Sequence, residues 1–193
     1  MPLEIEAKFR VESHDAVRER LRVLSASFLE RVVERNQIFD RPDGWLESRG
    51  RGLRVRWATN ELGQELPAVL TVKGPRQPGA FKSREEIELA VGDAAQAALV
   101  LERLGYVPIL TYEKRRESWR LGPCRVELDE PPRVGRFVEI EGPSEEAVAR
   151  TQRDLGLEGA THLPASYVRM LIAWCNEHGQ TERVLRLDNP AGT

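Results

Sequence analysis

Strict alternation of apolar and charged residues, repeated along most of the chain, is the sequence feature that most restricts the fold. In residues 3–11, Leu, Ile, Ala, Phe and Val alternate with Glu, Lys and Arg. A period of two residues puts the apolar side chains on one face of a β-strand and the charged ones on the other. The same pattern predicts strands at 53–57, 68–73, 82–89, 109–120, 125–129 and 136–141. An eighth strand is predicted at about 31–40, and the alternation does not assign its inner face.

Four helices are predicted between and after these strands. The predicted helices run from Ser13 to about Leu24, Asp93 to Leu104, Ser144 to Gly156 and Pro164 to His178. Ser and Asp are favoured where helices begin, and Gly where they end. We therefore predict an α+β fold, a closed eight-stranded antiparallel β-barrel with a charged interior and helices packed outside. Residues 1–179 are expected to form one domain, followed by a loose tail over 180–193.

The charged strand faces have a simple alternative explanation. Antiparallel sheets commonly turn one polar face to water, and for any single strand this is the better interpretation. Across seven strands, however, nearly every in-phase position is charged, where an ordinary surface would also carry Ser, Thr, Asn and Gln. A charged lumen is costly unless its acids and bases pair or bind ions. The sequence thus allows either a barrel whose charges simply pair or a tunnel that binds ions.

Two acidic pairs favour the ion-binding tunnel. Glu4 and Glu6, like Glu139 and Glu141, are two residues apart and share one face of a strand. Like charges this close repel each other unless a cation lies between them. Carboxylate oxygens suit Mg²⁺, Mn²⁺ or Ca²⁺ rather than zinc. Because the neighbouring Lys and Arg would repel a bare metal ion, we expect an anion between metal and bases, and a polyphosphate has the matching chemistry.

The overall composition excludes several classes of protein. The net charge of −2, from 29 basic and 31 acidic residues, argues against a general nucleic-acid binder. Cys124 and Cys175 have no metal-ligand spacing and suit a reducing cytosol. The first residues show no secretory pattern, and no apolar run approaches the roughly 18 residues of a membrane span. We expect a cytoplasmic protein without membrane contact, and a homodimer stays open.

The ordered series of motifs resembles a known family. Glu4-Ile5-Glu6-Ala7-Lys8 is similar to the ExExK signature of the CYTH superfamily, the triphosphate tunnel metalloenzymes. The similarity continues in order through residues 53–56, 70–74, 84–88, 114–116, 127–129, 135–141 and 166–167. The resemblance implies an eight-stranded tunnel and a divalent-metal-dependent reaction on a triphosphate.

The resemblance also implies a role for each matching side chain. Mg²⁺ or Mn²⁺ would be held by Glu4, Glu6, Glu127, Asp129, Glu139 and Glu141. The triphosphate would be bound by Lys8, Arg54, Arg56, Lys73, Lys82, Arg84, Lys114 and Arg116, and Lys73 is in addition the candidate catalytic residue. Family members often carry a tyrosine in the second strand where this chain has Ile38, so a Tyr–Lys pair cannot be carried over.

Hydrolysis of a triphosphate is the expected activity, with inorganic triphosphate as the first substrate and thiamine or nucleoside triphosphates next. Few neutral or aromatic side chains are in phase to hold a ring, Tyr112 and Phe39 being the candidates. The alternative is a class IV-type adenylyl cyclase that converts ATP to cyclic AMP and pyrophosphate. A non-catalytic polyphosphate or nucleotide-binding module is a second alternative. Both acidic pairs disfavour it, because a pure anion binder could use its bases alone.

Overall fold

The computed structural model describes residues 3–187, with side chains from residue 5 onward, and these residues form nine strands and four α-helices. The strands are β1 (Leu3–Val11), β2 (Ser27–Asp40), β3 (Gly52–Asn60), β4 (Glu65–Lys73), β5 (Lys82–Val91), β6 (Val107–Leu121), β7 (Cys124–Glu130), β8 (Arg136–Gly142) and β9 (Val184–Leu185). The helices are α1 (Asp15–Val23), α2 (Ala94–Arg103), α3 (Glu145–Asp154) and α4 (Tyr167–Glu177), with a short 3-10 helix at Glu47–Arg49. Within the described residues, none of the helices is long and apolar enough to cross a membrane.

Eight of the strands close into a barrel. They are hydrogen-bonded in the order β2-β3-β4-β5-β1-β8-β7-β6, and every pairing is antiparallel. The ring closes because β6 also pairs with β2 along nearly its whole length. The short β9 adds to β6 in parallel. The predicted fold class, a closed eight-stranded antiparallel barrel with helices outside, is confirmed.

The apolar faces of the strands point out of the barrel, where helices cover them. Helices α1 and α3 pack on β1, β7 and β8, whose Phe9, Val126 and Ile140 are fully buried. Helix α2 packs over Leu53 and Val55 of β3. Helix α4 differs, because it packs on Ile38, Leu110 and Phe137, which have the inward phase of β2, β6 and β8, and it lines the cavity itself. Since side chains alternate across a strand, the charged faces point into the barrel interior when the apolar faces point outward.

Helix caps explain where most of the helices begin. Asp93 and Ser144 cap α2 and α3 as predicted, because each side chain accepts a hydrogen bond from a backbone N–H in the first turn. The last helix begins at Tyr167 rather than near Pro164. Ser166 is the N-cap residue of this helix.

Two further boundaries differ from the prediction. Helix α1 begins at Asp15, because the Ser13 hydroxyl accepts the Asp15 backbone N–H in a local turn and does not cap the helix. Strand β2 begins at Ser27 rather than near Arg31, because its pairing with β6 extends that far. In the segment expected as a loose tail, the structure describes β9 and its pairing with β6, and residues 188–193 lie outside the described residues.

Candidate active site

The barrel encloses a cavity of about 900 Å³, within the roughly 300–1,000 Å³ that small-molecule sites occupy. All eight barrel strands and α4 contribute to its wall. The predicted site residues that line it are Glu6, Lys8, Arg54, Arg56, Lys73, Lys82, Arg84, Lys114, Arg116, Glu127, Glu139 and Glu141. Glu4 lies in β1 opposite Arg84, but its side chain is outside the described residues. The charged interior thus brings together almost every predicted site residue whose side chain the structure describes.

One side of the cavity is acidic. Strand register puts Glu6 of β1 directly across from Glu141 of β8, and Glu139 of β8 directly across from Glu127 of β7. Glu6, Glu127 and Glu139 are all at least 94% buried. Like charges directly opposite in a sheet are destabilising, and more so when they are buried. This acidic wall therefore requires cations.

The cations on the acidic wall are the protein's own bases. Lys8 Nζ lies 3.1 Å from Glu139 Oε1 and 3.9 Å from Glu6 Oε1. Arg116 Nη2 donates to Glu139 Oε2 at 2.7 Å, and Lys82 donates to Glu6. Burial opposes ionisation of Glu139, but the charges of Lys8 and Arg116 outweigh it and hold its pKa well below the ordinary range. Glu139 is accordingly a carboxylate that a cation must accompany.

Asp129 lies behind this wall rather than on the cavity surface. It is fully buried, and its carboxylate accepts hydrogen bonds from Lys114 at 2.9 Å and from Arg116 at 2.6 and 2.8 Å. The Tyr167 hydroxyl of α4 donates to the same carboxylate at 3.0 Å. Asp129 therefore anchors two bases of the cavity, and it could hold a metal ion only by exchanging one of them.

A second side of the cavity is basic. Arg54 and Arg56 of β3, Lys73 of β4 and Arg84 of β5 line it, together with the glutamates of β2 and β5 that lie beside them, Glu34, Glu86 and Glu88. The Nε atoms of Arg54 and Arg84 are buried, yet neither has a hydrogen-bond partner among the described residues. Arg84 Nε does lie 3.6 Å from a Glu86 carboxylate oxygen, which is beyond hydrogen-bonding range. An anion in the cavity could accept hydrogen bonds from both donors.

Glu34 of β2 is a cavity residue that the sequence analysis missed. Its side chain lines the cavity and is 4% exposed, with Arg56 Nη1 and Lys114 Nζ each 3.3 Å from its carboxylate oxygens. The alternation could not assign an inner face to β2, because charged residues fall on both faces: Glu30 and Glu34 on one, Arg31 and Arg35 on the other. The pairing of β2 with β3 and β6 settles which set points inward.

Ile38, at the position where family members often have tyrosine, lies in an apolar cluster. It is 8% exposed, is paired with Leu110 of β6 and packs near α4. Tyr112 of β6 lies opposite Asn36, which comes two residues before Ile38 in β2, and Tyr112 lines the cavity. Burial raises the pKa of Tyr112, so its hydroxyl stays protonated at neutral pH.

The cavity also has more apolar lining than the alternation predicted. Trp57 of β3 lines it, although Trp57 lies opposite the outward-facing Arg35 and packs against the cluster of Leu53 and Val55. Ile109 of β6 and Ile172 of α4 add further apolar surface. Phe39, whose face was not assigned, lines the cavity as well. The cavity can therefore contact an uncharged ring as well as phosphate.

The acidic residues carry the kind of ligand atoms that bind a hard divalent cation. Their carboxylate oxygens are the ligands that Mg²⁺ and Mn²⁺ prefer. Among the side chains that the structure describes, which exclude Glu4, no group of three acidic, His or Cys residues converges as a ready-made metal site. Glu6, Glu127 and Glu139 instead each form an ion pair with a Lys or Arg side chain. A metal ion would have to replace these basic partners.

Comparison with known proteins gives the same fold and a family. The model of the CYTH domain matches residues 2–167. The Aeromonas hydrophila protein named adenylate cyclase CyaB is 32% identical over 138 residues, which cover 71% of this chain and 67% of that protein. The solved structure of the PH1819 protein from Pyrococcus horikoshii OT3 superposes with a TM-score of 0.76 at 26% identity, covering 89% of this chain and 99% of that one.

A third comparison is with a solved structure from Hippeastrum. The Hippeastrum protein HpAC1 carries an adenylyl cyclase name and is described with a dominant triphosphatase activity. It matches with a TM-score of 0.66 at 20% identity, over 90% of this chain and 96% of that one, so this likeness shows the fold alone. Because the domain match runs from the ExExK strand to the start of α4 and the cavity gathers the family's charged motifs, the chain belongs to the CYTH domain family.

Proposed function

We propose that the protein hydrolyses a triphosphate with the help of divalent metal ions, and that inorganic triphosphate is the preferred substrate. The observation that carries the proposal is a cavity inside the barrel with an acidic and a basic wall, in which buried Arg54 and Arg84 each keep a donor without an acceptor among the side chains that the structure describes. A neutral ligand could accept hydrogen bonds from these donors but would not balance their positive charge. A phosphate anion would satisfy them and match their charge.

The basic residues bind and orient the phosphates. Arg54, Arg56 and Arg84 can each present a planar fork of donors to phosphate oxygens, whereas Lys73 presents a compact charge. Because the barrel strands fix these side chains around one cavity, their charge is already in place when the transferring phosphoryl group becomes more negative. This preorganisation is the main catalytic contribution that phosphoryl transfer needs from a protein.

The acidic residues hold the metal ions. Glu4, Glu6, Glu127, Asp129, Glu139 and Glu141 supply the carboxylates, of which Glu6, Glu127, Glu139 and Glu141 reach the cavity. When bound, Mg²⁺ or Mn²⁺ supplies Lewis-acid charge that offsets the negative charge of attacking and leaving oxygens. Lys8, Lys82 and Arg116, which now contact this wall, are then available to the phosphates.

Lys73 is the residue we propose for orienting the reacting groups. It lies on β4, lines the cavity and contacts Glu86 of β5. The ammonium group of a lysine can donate to a phosphate or to a water molecule. It could thus align the attacking water with the terminal phosphorus, in a site where Ile38 has no hydroxyl for that task.

Cyclisation of ATP is the second candidate. The apolar lining by Trp57, Ile109, Ile172 and Phe39 offers surface for a nucleobase, and a relative at 32% identity carries an adenylate cyclase name. The charges along the cavity favour a bare triphosphate, since it can use the basic residues without burying an organic group. A pure binding module is disfavoured, because phosphate binding alone does not require Glu6, Glu139 and Glu141 in the same cavity.

A substrate screen tests the proposal. Purified protein is assayed with inorganic triphosphate, thiamine triphosphate and ATP, each with Mg²⁺, Mn²⁺ or excess chelator, and phosphate, pyrophosphate and cyclic AMP are measured separately. We expect the highest kcat/KM for inorganic triphosphate, no turnover with chelator, and little cyclic AMP. Cyclic AMP and pyrophosphate in equal amounts as the fastest products would establish the cyclase instead.

A further inference from the structure

Glu34 is an acid on the side of the cavity where β2 meets two basic strands. Its carboxylate lies 3.3 Å from Arg56 Nη1 and 3.3 Å from Lys114 Nζ, and 3.9 Å from Arg116 Nε. These three bases are among those assigned to phosphate binding. A phosphate that contacts Arg56 and Lys114 must therefore approach the Glu34 carboxylate closely.

Glu34 carries a full negative charge in the folded protein. Burial alone would raise the pKa of this carboxyl, but Lys114, Arg116 and Arg56 outweigh burial and hold the pKa far below the ordinary range. One of its oxygens, Oε2, accepts no hydrogen bond from the described residues, although it lies within ion-pair distance of Lys114. The charge of Glu34 therefore faces the cavity without being fully covered.

The three bases do not depend on Glu34 for their positions. Arg116 keeps hydrogen bonds to Asp129 and Glu139, and Lys114 keeps its hydrogen bond to Asp129. Arg56 Nη2 keeps an ion pair with Glu88 at 3.6 Å. Replacing Glu34 by glutamine preserves the side chain's shape and an acceptor oxygen for Arg56. Loss of like-charge repulsion should accordingly outweigh any loss of positioning.

From this geometry we propose that Glu34 is a built-in counter-ion that competes with substrate phosphate for Arg56 and Lys114, and so sets the affinity of the cavity for phosphate anions. It neutralises the bases while the cavity holds no anion, when buried unpaired cations would be costly. It must be displaced or repelled when a phosphate binds, which weakens binding and eases release. The proposal rests on the triphosphate binding proposed above and adds a specificity-determining residue to it.

The test is binding of inorganic triphosphate in excess chelator, where no turnover occurs, measured by titration calorimetry. Glu34→Gln is compared with the wild type and with Glu117→Gln. Glu117 is a matched control because it is also 4% exposed and also ion-paired, to Arg18 and Arg31, but it lies outside the cavity. Both variants remove one buried negative charge, and only Glu34→Gln removes it beside the proposed phosphate site.

We expect Glu34→Gln to lower the Kd for triphosphate at least tenfold, and Glu117→Gln to leave it within twofold of the wild type. Glu34→Ala should show the same gain, so that the test holds if one of the two variants folds poorly, and Glu34→Asp should stay within threefold of the wild type because it keeps the charge. An unchanged or higher Kd in Glu34→Gln and Glu34→Ala would overturn the proposal while triphosphate binding stands. If the wild type binds no triphosphate with or without Mg²⁺, the proposed function itself fails, and the role of Glu34 with it.

Discussion

Removal of the Arg54 guanidinium should slow the reaction strongly while leaving the fold almost unchanged. The Arg54 side chain is 16% exposed in the cavity wall, and its Nε has no acceptor among the described side chains. Its remaining contacts are weak: Nη2 donates to Thr71 Oγ1 at 3.3 Å and lies 3.7 Å from the half-exposed Glu88. Little native-state stability therefore depends on it, whereas a phosphate in the cavity would use its full charge.

The size of the effect follows from the kind of contact that is lost. Removing one preorganised donor or charge from a transition-state site costs about 2–4 kcal/mol, which is roughly 30- to 1,000-fold in rate. For Arg54→Ala we expect kcat/KM on inorganic triphosphate to fall by this factor, followed as phosphate release with saturating Mg²⁺. We expect the midpoint of thermal unfolding to move by only a few degrees, since the lost contacts resemble surface ion pairs of about 0–1 kcal/mol.

Arg35→Ala is the matched control. Arg35 lies on the outer face of β2, is 44% exposed and pairs with Glu113 at 3.3 Å, so its truncation removes the same group from outside the cavity. Its kcat/KM should stay within twofold of the wild type. If Arg54→Ala and Arg35→Ala have equal kcat/KM, Arg54 does not contact substrate and the assignment of the basic wall is wrong.

Arg116 would be a less informative choice, although it lines the same cavity. Its guanidinium holds Asp129 and Glu139 and lies 3.7 Å from Glu127. Truncating one partner of a buried charge pair typically costs about 3–5 kcal/mol of stability. A loss of activity in Arg116→Ala would therefore mix unfolding with lost catalysis.

Three further outcomes are expected. Glu6→Gln should abolish Mg²⁺-dependent turnover but leave a folded barrel by circular dichroism, and full activity at saturating Mg²⁺ would remove Glu6 from the metal site. Glu117→Ala should lower the free energy of unfolding by about 1–3 kcal/mol, because Arg18 and Arg31 lose their buried acceptor. Burial alone would raise the pKa of Glu117, but hydrogen bonds from Arg31, Trp119 and Arg18 outweigh burial and lower the pKa. The contribution of Glu117 to folding stability is therefore present above about pH 4.5 and is lost on acidification. Equal stability of the wild type and Glu117→Ala at pH 7 would contradict this expectation. Gly142→Ala should destabilise the fold by about 1–3 kcal/mol in chemical denaturation, because an added Cβ would lie 2.8 Å from Cys124 Sγ and 3.0 Å from Val148 Cγ2, and unchanged stability would show that β7 and α3 yield freely.

The alternation of β1 shows why so much of the barrel could be predicted from the sequence. Glu6 and Lys8 face the cavity, and Ala7 and Phe9 face the outer helices, as a strict period of two requires. Where alternation is clean, one residue settles the face of the whole strand. Arg10 shows the limit of the rule, because it keeps the phase of Lys8 but lies beyond the cavity lining and is exposed.

Features that depend on partner strands could not be predicted. Glu34 lies in a strand with charges on both faces, so only its pairing with β3 and β6 reveals the inward direction. Trp57 lines the cavity although it lies opposite the outward-facing Arg35, which a strict period of two does not predict. The ion pairs that Lys8 and Arg116 form with the acidic wall likewise depend on which residues are cross-strand neighbours. These contacts are the ones that a ligand must rearrange.

Transfer of oxygen from water to product tests the central claim most directly. The protein is incubated with inorganic triphosphate and Mg²⁺ in water enriched in ¹⁸O, and with ATP in a parallel reaction, and the products are analysed by mass spectrometry. Hydrolysis by attack of water on a terminal phosphorus predicts one ¹⁸O atom in each released orthophosphate, and no release when the metal is chelated. Cyclic AMP and unlabelled pyrophosphate from ATP, with inorganic triphosphate left intact, would contradict hydrolysis and identify the 3′-hydroxyl as the nucleophile.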